Sequence, residues 1–452
     1  MDNEKAKLVA EATRLAIRYL NSGNSVPVFP SDQSLAALDQ FDTALPEGSA
    51  DGRAILELLD RVGSPATVRS TGGRYFGFVT GNSEPIASAA AVLALAWDQN
   101  IAVPVMSPIA SRLDAIAAGW ICQLLGLPES SVASFCAGAS IANLTCIIAA
   151  RDAILARAGW DVNEKGLFGA PEIPVVVSDE CHVSVDKALR HAGFGRQSVV
   201  RVGTDDLGRM MAERMPAITK PSLVIMQAGN VNTGHSDPFA EIIPQVQRYG
   251  GWVHVDGAFG LWAAASTRQR HHVAGAELAD SWATDAHKWL NASYDSGIAI
   301  CRRAEDMLQA MSVDAAYIPA SSERILMKMS LQMSQRARGI EAWAIIATKG
   351  RQGIANMVDR HCDLANHMAQ KLVSAGAERL APVGLNQMLF SFGTDETTDK
   401  VISAVQRDGT CWVGGTTWKG RRAMRINICD TSTTIDDIDR SAAAIANQIK
   451  LA

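Results

Sequence analysis

The chain has 452 residues, 48% apolar and 20% charged, a composition that excludes a disordered or low-complexity scaffold. Length allows about three domains, or one large domain with flanking pieces. Lys and Arg number 42 against 47 Asp and Glu, a formal net charge of −5 that argues against nucleic-acid binding; only Arg421, Arg422 and Arg425 cluster.

Residues 1–8 mix both charge signs and lack the apolar core of a secretory leader. Residues 2–20 then predict an amphipathic helix, with Leu8, Ala12, Leu15, Ala16 and Tyr19 on one face. An aromatic stretch, Tyr75, Phe76 and Phe78, is punctuated by Gly72, Gly73, Gly77 and Gly81, and suits either a pocket wall or a core turn. The small-apolar run 86–97 is too short for a bilayer helix, which needs roughly 17–25 residues. Eight scattered cysteines form no CxxC pair, so no metal site is expected, and the reading is of a cytoplasmic protein without a membrane partner.

From about residue 131 short β-rich runs (173–178, 222–227, 252–256, 282–285, 297–301) alternate with helical patterns (141–157, 185–191, 239–249). That alternation predicts an α/β fold built on a large, mainly parallel sheet covered on both faces. Asp179, Asp256 and Asp285 stand where strands end, and in open α/β sheets chemistry gathers at those carboxyl ends. Helices interrupted at Gly350 and Gly353, strands at 387–392 and 424–429, and a last helix capped by Thr434 and Asp437 predict a small C-terminal α+β domain. The expected division is 1–85 (N-terminal helical, dimerising segment), 86–342 (large α/β domain) and 343–452 (small domain).

Four features carry chemistry. Lys288 lies just past a strand between Trp282 and Trp289, so it is either a surface charge or a desolvated amine able to form a Schiff base. Asp256 ends an apolar strand; it either caps the next turn or holds a protonated ring nitrogen, with Gly257, Ala258 and Gly260 leaving room for a flat ring. Gly138, Ala139 and Ser140 open a helix and form either an ordinary N-cap or a phosphate cup. The same residues approximate the G-x-S-x-G elbow of a serine hydrolase using Ser140, but Ala142 stands at the last glycine. His182, after another strand, is either structural or placed to stack on a ring.

In this order, Gly138-Ala139-Ser140, His182, Asp256-x-Ala258 and His287-Lys288-Trp289 resemble the pyridoxal-phosphate-dependent decarboxylases of the aromatic-amino-acid and glutamate decarboxylase group. The similarity covers nearly the whole chain and includes residues 227–234 and Trp343. It implies a fold-type I transferase-like architecture, pyridoxal 5'-phosphate as cofactor, and a homodimer with sites at its interface. It further implies that Lys288 binds the cofactor as a Schiff base, Asp256 holds the pyridine nitrogen and His182 stacks on the ring. Gly138, Ala139, Ser140 and His287 would hold the phosphate, joined by Ser334 of the neighbouring subunit, and Asn232 would face the cofactor's hydroxyl side.

Tyr317, 29 positions after Lys288, matches the family's mobile-loop tyrosine, which protonates the substrate carbon and favours amine over aldehyde. Arg425 matches an arginine assigned to the substrate carboxylate or its supporting network. Tyr75, Phe78, Val79, Thr80 and residues 101–104 are expected to form a mostly apolar substrate wall, favouring an aromatic or other apolar L-amino acid. Departures from the family pattern are Ile141 where glutamate is common, Cys136-Ala137 in the phosphate loop, and a Met- and Ser-rich stretch at 321–333. The expected reaction is decarboxylation of an L-amino acid to amine and carbon dioxide through a quinonoid; an aldolase or aldehyde synthase on the same scaffold is the alternative.

Overall fold

A computed structural model of the chain describes residues 3–23, 26–313 and 324–452. At its centre seven strands form one sheet: β1 (Val132–Cys136), β2 (Val175–Ser178), β3 (Val199–Val202), β4 (Leu223–Gln227), β5 (Trp252–Asp256), β6 (Ser281–Asp285) and β7 (Gly297–Cys301). They lie in the order β1-β7-β6-β5-β4-β2-β3. Strands β3, β2, β4, β5 and β6 are parallel neighbours, whereas β7 runs antiparallel to both β6 and β1. The mainly parallel sheet read from the sequence is present.

Alternate side chains of these strands feed two separate layers, as the two-residue period of a strand requires. Leu223, Ile225 and Trp252 pack on one face with the helix Ala139–Arg157. Val224, Met226, Val253 and Val255 pack on the other with helices Pro108–Leu124 and Phe239–Gln247. Strands β2, β4, β5, β6 and β7 are buried along their whole length, which strands of a sheet covered by helices on both faces must be. Trp252, Trp262, Trp282 and Trp289 are among the largest fully buried side chains, and truncating such a residue to alanine costs about 3–5 kcal/mol. The helix Ala139–Arg157 has the length and mean hydropathy, 1.4, of a membrane span, but 67% of that window is buried inside the protein.

A second, antiparallel sheet follows: β8 (Glu378–Arg379), β9 (Gln387–Ser391), β10 (Gly414–Trp418) and β11 (Arg421–Asn427), in the order β10-β11-β9-β8. Helices Asp395–Asp408 and Ile435–Leu451 cover it, the second starting at the expected Thr434–Asp437 capping box. The expected boundary between residues 342 and 343 falls inside one long helix, Gly339–Ser374. Its first turns bury Ala342, Ile345 and Ile346 in the large core, and its later turns bury Leu364, Met368 and Leu372 in the small one. The helix breaks at Gly350 (φ 61°), where the left-handed backbone suits glycine, while Gly353 stays helical.

The N-terminal helix is Glu4–Asn21. Downstream, residues 75–82 thread between the two domains. Phe76 is buried in the small-domain core, with its N–H bonded to the Trp412 carbonyl at 2.8 Å. Gly81 donates to the His287 carbonyl at 3.2 Å, and Asn82 N–H to Asn291 Oδ1 at 2.9 Å. Both glycines of this thread are required by contact. A Cβ on Gly77 would stand 1.9 Å from the Trp412 ring, and one on Gly81 would stand 1.9 Å from the Lys288 carbonyl oxygen.

Candidate active site

The carboxyl ends of β1, β4, β5 and β6 open into a cavity of about 530 Å³, within the range of small-molecule sites. Of the residues singled out in the sequence, Gly138, Ala139, Ser140, His182, Asp256, Ala258, His287, Lys288, Phe78, Val79, Thr80 and Arg425 line it.

Lys288 sits on the turn after β6, with its Nζ 3.1 Å from Asp285 Oδ2. Asp285 is buried, and its other oxygen accepts the Ala139 N–H at 2.6 Å. One carboxylate therefore ties the lysine to the first residue of the helix Ala139–Arg157. An anion at a helix N-terminus is favoured by the partial positive charge there. His287 Nε2 lies 3.7 Å from Asp285 Oδ2, while its Nδ1 faces the Ser296 backbone, 3.0 Å from the carbonyl oxygen and 3.2 Å from the N–H. Burial holds the His287 pKa below the ordinary imidazole value; Asp285 opposes this and Lys288 reinforces it.

Asp256 ends β5 and is 4% exposed. Its Oδ1 accepts the Ala258 N–H at 3.2 Å and its Oδ2 the Asn143 amide at 3.1 Å. The capping role and a cavity-facing role are therefore filled by one side chain. His182 likewise does two things. It lines the cavity and it caps the helix Val183–His191, with its Nδ1 3.3 Å from the Ser184 N and 2.7 Å from the Ser184 Oγ. Burial lowers its pKa, against the attraction of Asp256. A neutral, planar imidazole facing the cavity is what stacking on a ring needs.

The strand-to-helix turn fits a phosphate. Gly138, the N-cap, has no side chain to cap the helix end. A Cβ on the facing Gly297 would meet the Gly138 backbone at 2.3 Å, so β7 presses the turn into place. Among the described residues the buried Ser296 Oγ beside it has no hydrogen-bond partner. Amide groups at a helix end, the Ser140 hydroxyl and the His287 ring together suit an anionic group, and Asp256 with Ala258 suits a flat, protonated ring. The residues present fit pyridoxal phosphate.

Other expected residues lie elsewhere. Tyr75 stacks on Trp412 (centroids 5.1 Å apart) behind Phe78, which itself stacks on Trp412 at 5.8 Å; only Phe78 reaches the cavity. Asn232 is turned away because its Oδ1 accepts the Thr416 hydroxyl at 3.1 Å, and its neighbour Val231 lines the cavity instead. Ile101 and Ala102 are buried against Leu326 and Ile325, away from this chain's cavity. Ser334 is exposed outside the cavity; the resemblance assigned it to the neighbouring subunit's site. Tyr317 lies outside the described residues. The sequence marked Asp285 only as a strand end and Gln227 only within the 227–234 stretch, without a role for either, and gave no sign of Asn143 or Tyr294 as site residues. Asp285 had a signal, a carboxylate three residues before the lysine at a strand end; Asn143, one helical turn past Ser140, had none on its own.

Residues 35–392 match the family model described as the pyridoxal-dependent decarboxylase conserved domain. The chain belongs to the pyridoxal-dependent decarboxylase family. It is 24% identical to an aromatic-L-amino-acid decarboxylase of Bacillus atrophaeus, over 96% of this chain and 93% of that one. It is 29% identical to an aspartate 1-decarboxylase of Aliivibrio fischeri, over 53% and 47% respectively. Its fold is that of the crystal structure of Oryza sativa TDC with PLP and tryptamine (TM-score 0.92, 21% identity, 100% and 98% coverage). The decarboxylase fold is thus fold-type I, its cofactor is pyridoxal phosphate, and its reaction is amino-acid decarboxylation. The serine-hydrolase reading of Ser140 falls with that assignment.

Proposed function

We propose that this decarboxylase acts on an aromatic or other apolar L-amino acid, as a homodimer of the cytoplasm. The observation that carries the substrate class is the distribution of charge in the cavity. Its fixed cations are Lys288 and Arg425, and its carboxylates are Asp256 and Asp285; Phe78, Val79, Val231, Phe259 and Tyr294 supply an apolar wall. Lys288 is committed to Asp285 and the cofactor, which leaves Arg425 for one substrate carboxylate. Burial lowers the Arg425 pKa, its Nη1 donates to the Val231 carbonyl at 3.4 Å, and among the described residues no carboxylate pairs with it. An acidic side chain would need a second cation and would face two carboxylates. The name of the Bacillus relative carries the same preference.

Bound pyridoxal phosphate supplies a carbonyl that takes up amines and a cationic ring that withdraws electrons from the substrate. The chain's own residues do the rest. Lys288 would anchor the cofactor, Asp285 holds the lysine amine in place, and Asp256 would accept a hydrogen bond from the protonated ring nitrogen. His182 would cover a ring face, and the helix end at Ser140 would bind the phosphate with His287. Arg425 orients the substrate carboxylate with its planar fork, and the apolar wall excludes water. To Tyr317, outside the described residues, the resemblance assigns the role of proton donor to the substrate carbon. Support for the dimer comes from exposed apolar residues on and after the helix Pro85–Trp97: Val92, Leu93, Leu95, Trp97, Val105 and Met106. Eight unpaired cysteines support a reducing compartment.

The test is a panel of L-amino acids assayed for carbon dioxide and for amine against aldehyde. Tryptophan, tyrosine, phenylalanine or leucine should have the highest kcat/KM, with amine as product, and Tyr317→Phe should slow amine formation and, with dioxygen supplied as the oxidant, release aldehyde. Preference for aspartate or glutamate would overturn the substrate class.

A further inference from the structure

Behind Asp256 lies a line of buried polar side chains that the reaction as described does not use. Trp252, Ser281, His254 and Asn143 are each 0% exposed. Trp252 Nε1 is 2.8 Å from Ser281 Oγ, and Ser281 Oγ is 2.9 Å from His254 Nδ1. His254 Nε2 is 2.8 Å from Asn143 Oδ1, and Asn143 Nδ2 is 3.1 Å from Asp256 Oδ2.

The proton positions along this line follow from chemistry alone. The indole N–H can only donate, so Ser281 Oγ accepts from Trp252 and its own O–H is free to donate. A carboxylate can only accept, so the Asn143 amide presents its N–H₂ to Asp256 and its carbonyl to His254. His254 Nε2 must then carry the proton, and Nδ1 must accept from Ser281. A doubly protonated ring would make Ser281 accept twice and leave its O–H without a partner in a site closed to water, where an unmade hydrogen bond is costly. Cys146 Sγ lies 3.5 Å from the Trp282 carbonyl oxygen and 3.6 Å from that of Ile300, and it also interacts with Cys301 and His254; both ring nitrogens of His254 already have closer partners in Ser281 and Asn143. Every donor therefore points towards Asp256.

We propose that Asn143 is a positioning residue which, held by a neutral His254 carrying its proton on Nε2, fixes Asp256 as an ionised, acceptor-only carboxylate facing the cavity. The inference rests on the reading that Asp256 pairs with the cofactor's ring nitrogen. Two N–H donors, from Asn143 and Ala258, stabilise the charge and leave no rotation of the carboxylate free. A proton on the ring nitrogen is then retained by the cofactor and not passed to Asp256.

The experiment uses holoenzyme carrying ¹⁵N-labelled histidine and, separately, cofactor labelled at its ring nitrogen. His254, assigned by its loss in His254→Gln, should be neutral with the proton on Nε2, and the cofactor ring nitrogen should be protonated. Asn143→Leu should weaken cofactor binding by about tenfold, the loss of one hydrogen bond to a charged group, and should shift the ring nitrogen towards its unprotonated form. Ser281→Ala, which removes a single oxygen and spares the packing, should leave the His254 proton on Nε2, where Asn143 Oδ1 still accepts it, and should shift the Nδ1 resonance towards that of a nitrogen without a donor; a proton on Nδ1 in that variant would overturn the relay. A native His254 that is doubly protonated or protonated on Nδ1 would overturn the relay. So would an Asn143→Leu holoenzyme with its ring nitrogen still protonated and its affinity within about twofold of native. If Asn143→Leu does not fold, Ser281→Ala decides. Native protein that binds no cofactor would overturn the functional reading instead, and the His254 tautomer in that same sample would still decide the relay.

Discussion

At the scale of single residues, the site is a set of groups whose neighbours decide their protonation. His361 shows this away from the reaction. It is fully buried, and its Nδ1 accepts the Trp289 indole N–H at 2.9 Å, next to Lys288. Burial, reinforced by Arg360, lowers its pKa from 6.5 to about 3. A depressed folded-state pKa stabilises the native protein above the unfolded value, and that stability is lost as pH falls from about 6.5 towards about 3. The loss should approach about 1.4 kcal/mol per pH unit. The urea midpoint of native protein should therefore fall steeply below pH 6.5, and that of His361→Gln, which keeps an acceptor for Trp289, should fall less. Equal slopes would contradict the assignment. Lys288, Asp256 and His182 were legible in the sequence because each ends or follows an apolar strand. Asn143 was not legible, because an asparagine inside a helix acquires its meaning only from the strand residues that topology brings against it.

Among elements, the thread at residues 75–82 links both domains to the lysine. Gly81 lies so close to the Lys288 carbonyl that no side chain fits there. Gly81→Ala should cost about 1–3 kcal/mol of stability through overpacking and weaken cofactor binding by displacing the lysine turn; thermal melting and cofactor titration check this. An unchanged melting temperature would show that the thread yields instead. The aromatic-glycine stretch was readable as either a pocket wall or a core turn, and its residues divide between the two. Phe78 is wall, Phe76 is core, and Tyr75 is a second layer stacked on Trp412. Strands β4 to β7 were legible from their apolar, β-branched runs. β10 was not, since Gly414 and Gly415 read as a turn and its pairing with β11 is a long-range choice.

For the whole molecule, the α/β layering follows from strand and helix periodicity, but the division into domains does not. The helix Gly339–Ser374 serves both cores, and no local change of composition marks where one core yields to the other. Assembly belongs to this scale as well. Leu93 and Leu95 are 56% and 75% exposed on the apolar helix Pro85–Trp97, a cost in water that a second copy would remove. Sedimentation should give about twice the 48.2 kDa chain mass, and Leu93→Glu with Leu95→Glu should give the monomer. A native monomer would contradict the dimer.

The most direct measurement is the absorbance spectrum of purified native protein and of Lys288→Ala, both supplied with pyridoxal phosphate, followed by carbon dioxide release from aromatic L-amino acids. A band near the visible edge that depends on Lys288, with carbon dioxide and amine formed only by the native protein, is the predicted result. The same band in Lys288→Ala with undiminished turnover, or a native protein that binds the cofactor and releases no carbon dioxide from any amino acid, would contradict it.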